Sequence, residues 1–151
     1  MNKKGVTLVE LAVVLVIIAI AAALTTPAIG RWLPIYRLRS ATRDVVSTMR
    51  MAQAKAVTGN VECRVNFDAA QGKYIVQCQT TAGLVNDGDW QKLRSGVQFK
   101  EVNFGGGDPN AAIFNANSTS SGGNVTLRNT KGTEKRISLS STTGRVQVSG
   151  N

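Results

Sequence analysis

Apolar residues follow three different periods along this chain, and each period predicts a different element. From Val6 to Leu24 the residues are apolar except for Thr7 and Glu10, and no charge lies between Leu11 and Gly30. A helix rises about 1.5 Å per residue, so such a run just spans a hydrocarbon core of roughly 30 Å. Residues 6–30 therefore read as a helix that is apolar on all sides. Further on, Leu38, Ala41, Val45, Met49, Ala52 and Ala56 recur at spacings of three and four. That spacing predicts an amphipathic helix over 31–58, laid on a domain core. Pro27, Gly30 and Pro34 fall between the two patterns and predict a kink or a locally unwound stretch, because proline withholds its N–H and crowds the preceding turn. Thr58-Gly59-Asn60 ends the second pattern, with Gly59 placed for a C-cap.

From Val61 the period shortens to two. Val61, Cys63, Val65 and Phe67 alternate with polar residues, and Tyr74, Val76 and Cys78 do the same beyond a turn at 69–72. This reads as a β-hairpin. A hairpin centred between Ala70 and Gln71 opposes Phe67 to Tyr74, Val65 to Val76 and Cys63 to Cys78. A three-residue loop with a bulge at Gly72 would shift that register by one and leave the cysteines diagonal. In the first register the Cβ atoms come near the reach of a disulfide, and an oxidising compartment would favour a Cys63–Cys78 bridge over two buried thiols. Further strands are expected at 90–93, 97–104, 112–114, 124–128, 135–139 and 145–149, with loops at 105–109 and 115–124. The fold class is α+β: one long N-terminal helix, its outer half packed on antiparallel β-sheet in a domain over 61–151.

Composition removes most catalytic chemistries. The chain has no histidine, so imidazole bases, Ser–His and Cys–His pairs and histidine metal ligands are excluded. It also lacks a P-loop, a G-x-S-x-G elbow and a C-x-x-C pair. The acidic turn Asn86-Asp87-Gly88-Asp89 is not followed by the glutamate an EF-hand loop needs and reads as a surface turn. Nothing here points to an enzyme, a cofactor or a metal site. The formal net charge is +9; loss of Lys3 and Lys4 would leave +7 on side chains. So basic a domain suits an anionic partner such as nucleic acid, lipid headgroups or an acidic neighbouring subunit, or the charge merely aids solubility. Arg39, Arg43 and Arg50 form a stripe away from the apolar face, which is either a solvated surface or a contact for acidic groups of a neighbour.

The N-terminus carries the most specific signal. Lys3 and Lys4 precede Gly5, the apolar run begins at Val6, and Glu10 sits inside it. The basic pair favours a cytoplasmic N-terminus with the remainder outside. A secretory signal is cleaved after its apolar stretch, whereas the plausible junction here, Gly5–Val6, lies before it. An acidic side chain within a membrane helix costs about 2.5–3.5 kcal/mol at a central position and less near the interface. A plain anchor gains nothing from that cost. The segment Lys3-Lys4-Gly5-Val6-Thr7-Leu8-Val9-Glu10-Leu11 resembles the class III leader of type IV pilins and pseudopilins. The resemblance implies that residues 1–5 are a leader, that prepilin peptidase cuts after Gly5 and methylates Val6, and that Glu10 pairs with the α-amino group of Val6 on a neighbouring subunit. It also implies an inner-membrane helix, a periplasmic domain and a fibre of pilin or pseudopilin subunits. A helix-breaking proline at the place of Pro27 is familiar in the same group, and Pro34 is an addition.

The later motifs narrow the resemblance. Trp90-x-x-Leu93-x-x-Gly96-Val97-x-Phe99, Ile113-Phe114, Val125-Thr126-Leu127, Arg136-Ile137-Ser138-Leu139 and Thr143-Gly144-Arg145-Val146 are similar, in this order, to the GspH/FimT family of minor pseudopilins and minor pilins. This implies a low-abundance subunit that primes, caps or enters a type II secretion pseudopilus or a type IV pilus. A major pilin subunit is the alternative within the same structural class; such subunits usually carry a C-terminal disulfide-bounded loop, and no cysteine follows Cys78. Some FimT-like minor pilins are thought to bind DNA through Gly-Arg-x-Arg near the C-terminus. Gly144-Arg145-Val146-Gln147 keeps the first arginine and has glutamine for the second. Arg128, Lys131, Lys135, Arg136 and Arg145 are the candidate DNA contacts, either as one patch or as residues flanking ordinary turns.

Overall fold

The computed structural model describes residues 7–150, without the side chains of residues 24–29 and 31. One helix, α1, runs Leu8–Gly59. Nine strands follow: β1 Cys63–Asp68, β2 Lys73–Thr80, β3 Gly83–Asn86, β4 Gln91–Lys92, β5 Val97–Phe104, β6 Ala111–Phe114, β7 Gly123–Asn129, β8 Glu134–Leu139 and β9 Val146–Ser149. The chain divides into two compact units between Leu33 and Pro34.

In the first unit the helix begins with a capping device. The Glu10 N–H donates to the Thr7 hydroxyl at 3.2 Å, and the Leu11 N–H donates to the Thr7 carbonyl at 3.1 Å. Thr7 is thus the N-cap and Glu10 the third helical residue, the spacing of a capping box. An acidic group in the first turn also sits favourably against the positive end of the helix dipole. The helix is unbroken through Pro27, Gly30 and Pro34: of the two outcomes expected there, a kink or an unwound stretch, the unwound stretch is not present. Each proline removes one i→i−4 hydrogen bond from the ladder without ending it, because the neighbouring bonds still hold the backbone. Among the described residues no helix is long and apolar enough to cross a membrane. The described apolar side chains run from Leu8 to Ala23, about 24 Å of helix by the usual rise.

In the second unit the helix supplies the stripe read from the sequence. Leu38, Ala41, Val45, Met49, Ala52 and Ala56 are all buried, with Val46 beside them. The helix closes in a Schellman motif: the Val61 N–H donates to the Ala56 carbonyl at 3.1 Å, and Asn60 takes the left-handed conformation at φ 51°. Gly59 is the last helical residue and Asn60 the reversal.

Two antiparallel sheets share one core with this stripe. The first has the order β3-β2-β1-β6, with β4 also pairing β2; the second has the order β5-β7-β8-β9. The β1–β2 register opposes Phe67 to Tyr74, Val65 to Val76 and Cys63 to Cys78. The turn closes through Asp68, whose carboxylate accepts the Gln71 N–H at 2.9 Å. Phe67 joins the two sheets: its ring lies 5.5 Å edge-on from Phe99 and 5.6 Å stacked from Phe104, separations at which aromatic pairs add to simple burial. Strand β3 was not among the sequence expectations, because Gly83-Leu84-Val85-Asn86 is short and two of its residues are turn formers. The Tyr74 hydroxyl is held above its ordinary pKa, chiefly by burial, against a hydrogen bond with Thr48 that pulls the other way.

Candidate functional site

Glu10 is the acidic residue of the first unit's first turn, and the apolar side chains around it are exposed among the described residues. Leu8, Val9, Leu11, Val13, Ile17 and Ile20 are among those exposed by half or more. Their exposure runs around the helix rather than along one stripe, which fits an element surrounded by lipid or other helices. Gly5 and Val6, the expected cleavage and methylation positions, lie outside the described residues, as do the side chain of Pro27 and the basic pair Lys3 and Lys4.

The structure joins Cys63 to Cys78 by a disulfide, with a Cα–Cα distance of 4.0 Å. The Gln79 N–H donates to the Glu62 carbonyl at 2.7 Å, so the next pair along, Cys63 and Cys78, occupies a non-hydrogen-bonded position where side chains come closest. Asp87, from the acidic turn, pairs with Lys55 of the helix.

The five candidate DNA contacts do not come together. Arg128 and Arg136 alternate with the buried Leu127 and Ile137, so they occupy the outer face of the second sheet. There they meet carboxylates: Arg136 lies 3.6 Å from Glu101, and Glu134 lies 2.8 Å from Lys100 and 3.9 Å from Arg128. A bulge at Lys100 in β5 brings that lysine into the group. The hydrogen bond from Lys100, with the charges of Lys100, Arg128 and Arg136, holds Glu134 below the usual carboxylate range. Lys131 stands in the β7–β8 turn and Arg145 in the β8–β9 turn, at opposite ends of β8. Six residues of strand separate those ends by about 20 Å.

Lys135 faces the other way. Its cross-strand neighbours put it on the helix side of the sheet, where it lines a groove of about 480 Å³ with Arg39, Arg43, Arg50, Val46 and Val148. The groove thus gathers the helical arginine stripe and one strand lysine, which sequence spacing alone had left apart. Helical spacing could show the three arginines on one face, but the β8 register needed to add Lys135 depends on pairing with β7 and β9. None of the four cations has a carboxylate partner among the described residues; Lys135 donates instead to the Gly150 carbonyl.

Gly144, read as part of a DNA motif, has a structural task. It is buried at φ 60°, and a Cβ there would lie 2.7 Å from the Ser118 carbonyl and 2.5 Å from the Gln53 amide. Gly144→Ala is expected to destabilise the domain by about 2–3 kcal/mol, from left-handed strain plus the backbone clash. Arg145→Ala, at an exposed position, should cost under about 0.5 kcal/mol. Urea unfolding of the two variants checks the difference.

An N-terminal helix with apolar side chains exposed all round, followed by an α+β domain with a hairpin disulfide, describes a pilin-like fold. The comparisons with known proteins carry that further. The family model for the type II transport protein GspH matches residues 41–144, and the model for the prokaryotic N-terminal methylation motif matches residues 1–26. The chain belongs to the GspH family. Among solved structures it is similar to the minor pseudopilin EpsH of the Vibrio cholerae type 2 secretion system, with a TM-score of 0.65 and 10% identity over 76% of this chain and 97% of that one. It is also similar to the type IV minor pilin FimU of Pseudomonas aeruginosa, with a TM-score of 0.57 and 16% identity over 74% of this chain and 87% of that one. At such identities these likenesses speak for the fold. No curated protein sequence matches the chain. Its family is that of the type II transport protein GspH, and its N-terminus carries the prokaryotic methylation motif. Its methylation motif implies processing by prepilin peptidase and assembly with other pilin or pseudopilin subunits.

Proposed function

We propose that the chain is a prepilin cut between Gly5 and Val6, methylated on Val6, and held in the inner membrane by its apolar helix until it enters a fibre. The fibre is a type II secretion pseudopilus or a type IV pilus, and the subunit primes it, caps it or enters it at low abundance. The observation that carries this reading is the uncovered apolar helix with one carboxylate, Glu10, near its start. In lipid the helix stores the subunit; in a bundle Glu10 receives the α-amino group of Val6 from a neighbour. That pairing offsets the cost of placing a carboxylate in an apolar phase. The domain over 34–151 then stands in the periplasm and presents the surface that selects neighbours.

A charged residue at the cleavage junction tests the processing step. Gly5→Arg is expected to leave the full-length chain uncut when it is expressed with prepilin peptidase, while Gly5→Ala is cut more slowly or in part. Normal cleavage of the arginine variant would contradict the assignment of the junction.

Capture of extracellular DNA is the second reading. Its support is the net positive charge and Arg145, since Arg128 and Arg136 are engaged by carboxylates and Lys131 stands at the far end of β8. Phosphate contacts of this kind weaken steeply with salt. A mobility shift over a salt series, with Arg145→Ala alongside, is expected to show salt-sensitive binding that depends on Arg145 if this reading holds. No shift at low salt would remove it.

A further inference from the structure

The groove between the helix and the edge of the second sheet has the features of a peptide site. We propose that it receives an extended acidic segment of a different subunit, added as a fifth strand beside β9, with its carboxylates against Arg39, Arg43, Arg50 and Lys135. Strand β9 pairs only with β8 and is the sheet's terminal strand. The Ser140 N–H donates to the Arg145 carbonyl, so in the β8–β9 ladder residues 145, 147 and 149 turn their backbone groups towards β8. Val146 and Val148 turn theirs to the open side, which leaves that edge ready for strand addition.

Side-chain direction adds a second, independent argument. Val148 pairs with Ile137, which is buried, so it projects on the helix side of the sheet. It is nonetheless 49% exposed, on the groove floor with Val46. An added strand would turn every second side chain to this face, over Val148 and towards the cationic rim, and the others to the outer face of the sheet.

The four cations, unpaired with any carboxylate among the described residues, give the charge of the partner. A second copy of this chain is disfavoured, because its net charge of +9 repels itself. Duplex DNA fits the charge and not the floor, because phosphates gain nothing from two valines. The inference stands apart from leader processing, and its failure would leave the family and the assembly helix untouched.

The test uses the full chain in detergent micelles and a blocked octapeptide of alternating valine and glutamate. Binding is followed by fluorescence anisotropy, with amide exchange read at 146–149. The peptide is expected to bind in a salt-sensitive way and to slow exchange at Val146 and Val148. Arg43→Gln and Arg50→Gln should each weaken it about threefold, and Arg43→Glu should do so more strongly. Val148→Pro removes only an outward N–H and should abolish binding, with an unchanged circular dichroism spectrum confirming the fold. A lysine-for-glutamate version of the peptide should not bind. Absence of binding at millimolar peptide and low salt would overturn the proposal, as would binding without protection at β9. Displacement of the peptide by a duplex oligonucleotide that binds more tightly and depends on the same arginines would overturn it in favour of nucleic acid.

Discussion

Glu10→Ala is expected to be cleaved and methylated normally yet to enter fibres at least about tenfold less than the native chain. The figure follows from losing one charge-assisted hydrogen bond in a poorly solvated helix bundle, about 1.5–3 kcal/mol. Alanine also removes the insertion cost of a carboxylate, so the membrane-held pool should not shrink. The variant has a second effect, because Glu10 is the third residue of a helix capped by Thr7. Glu10→Gln separates the two roles. Glutamine at this place still serves a capping box and cannot form the ion pair, so it should fail to incorporate as alanine does. Immunoblots of sheared fibres beside membrane fractions give the ratio. Native incorporation of the glutamine variant would assign Glu10 to helix capping and remove the intersubunit pair.

The second large effect concerns stability. Replacing both Cys63 and Cys78 by alanine should cost the domain about 3 kcal/mol, the loop-closure value for the 15-residue separation of this bridge. For a domain of this size that corresponds to a drop in Tm of about 10 °C or more. Both sulfurs lie at the end of the hairpin that meets the C-terminus of the helix, where Cys63 is fully buried and packs in the common core. The alanine pair therefore loses some packing as well as the cross-link. Thermal unfolding of the native protein with and without a reductant separates these terms: reduction removes the link and keeps the sulfur atoms in place.

Much of this fold was legible in the chain because its signals are local. The three-and-four spacing from Leu38 to Ala56 coincides with the buried helix face, since one helix on one core has a single way to hide that stripe. The hairpin was legible, and its register, with Phe67, Val65 and Cys63 facing Tyr74, Val76 and Cys78, is the first of the two the turn allowed. Where the sequence misled, distant parts decided the outcome. Strand β3 exists because β2 offers it an edge, and nothing in Gly83-Leu84-Val85-Asn86 announces that.

The functional surfaces divide in the same way. The leader pattern with Glu10 is contiguous and was readable, and the Thr7–Glu10 cap inside it could have been read from the T-x-x-E spacing. The basic residues of the C-terminal strands could not be sorted from sequence. Alternation along β7 and β8 sends Arg128 and Arg136 to the outer face, where Glu101 and Glu134 hold them. It sends Lys135 to the helix side, into the company of arginines some 85–96 positions earlier in the chain. Only the pairing of β8 with its neighbours fixes which side each one takes.

The central claim is that this chain is a processed fibre subunit, and its N-terminus tests that most directly. The protein should be expressed with and without prepilin peptidase, recovered from membranes, and examined by N-terminal sequencing and intact mass. With the peptidase, the account predicts a chain that begins at Val6, carries one N-terminal methyl group and keeps the whole apolar helix. Without it, the chain should retain Met1 or begin at Asn2. Cleavage beyond the apolar run, or an uncut N-terminus in the presence of an active peptidase, would contradict the account.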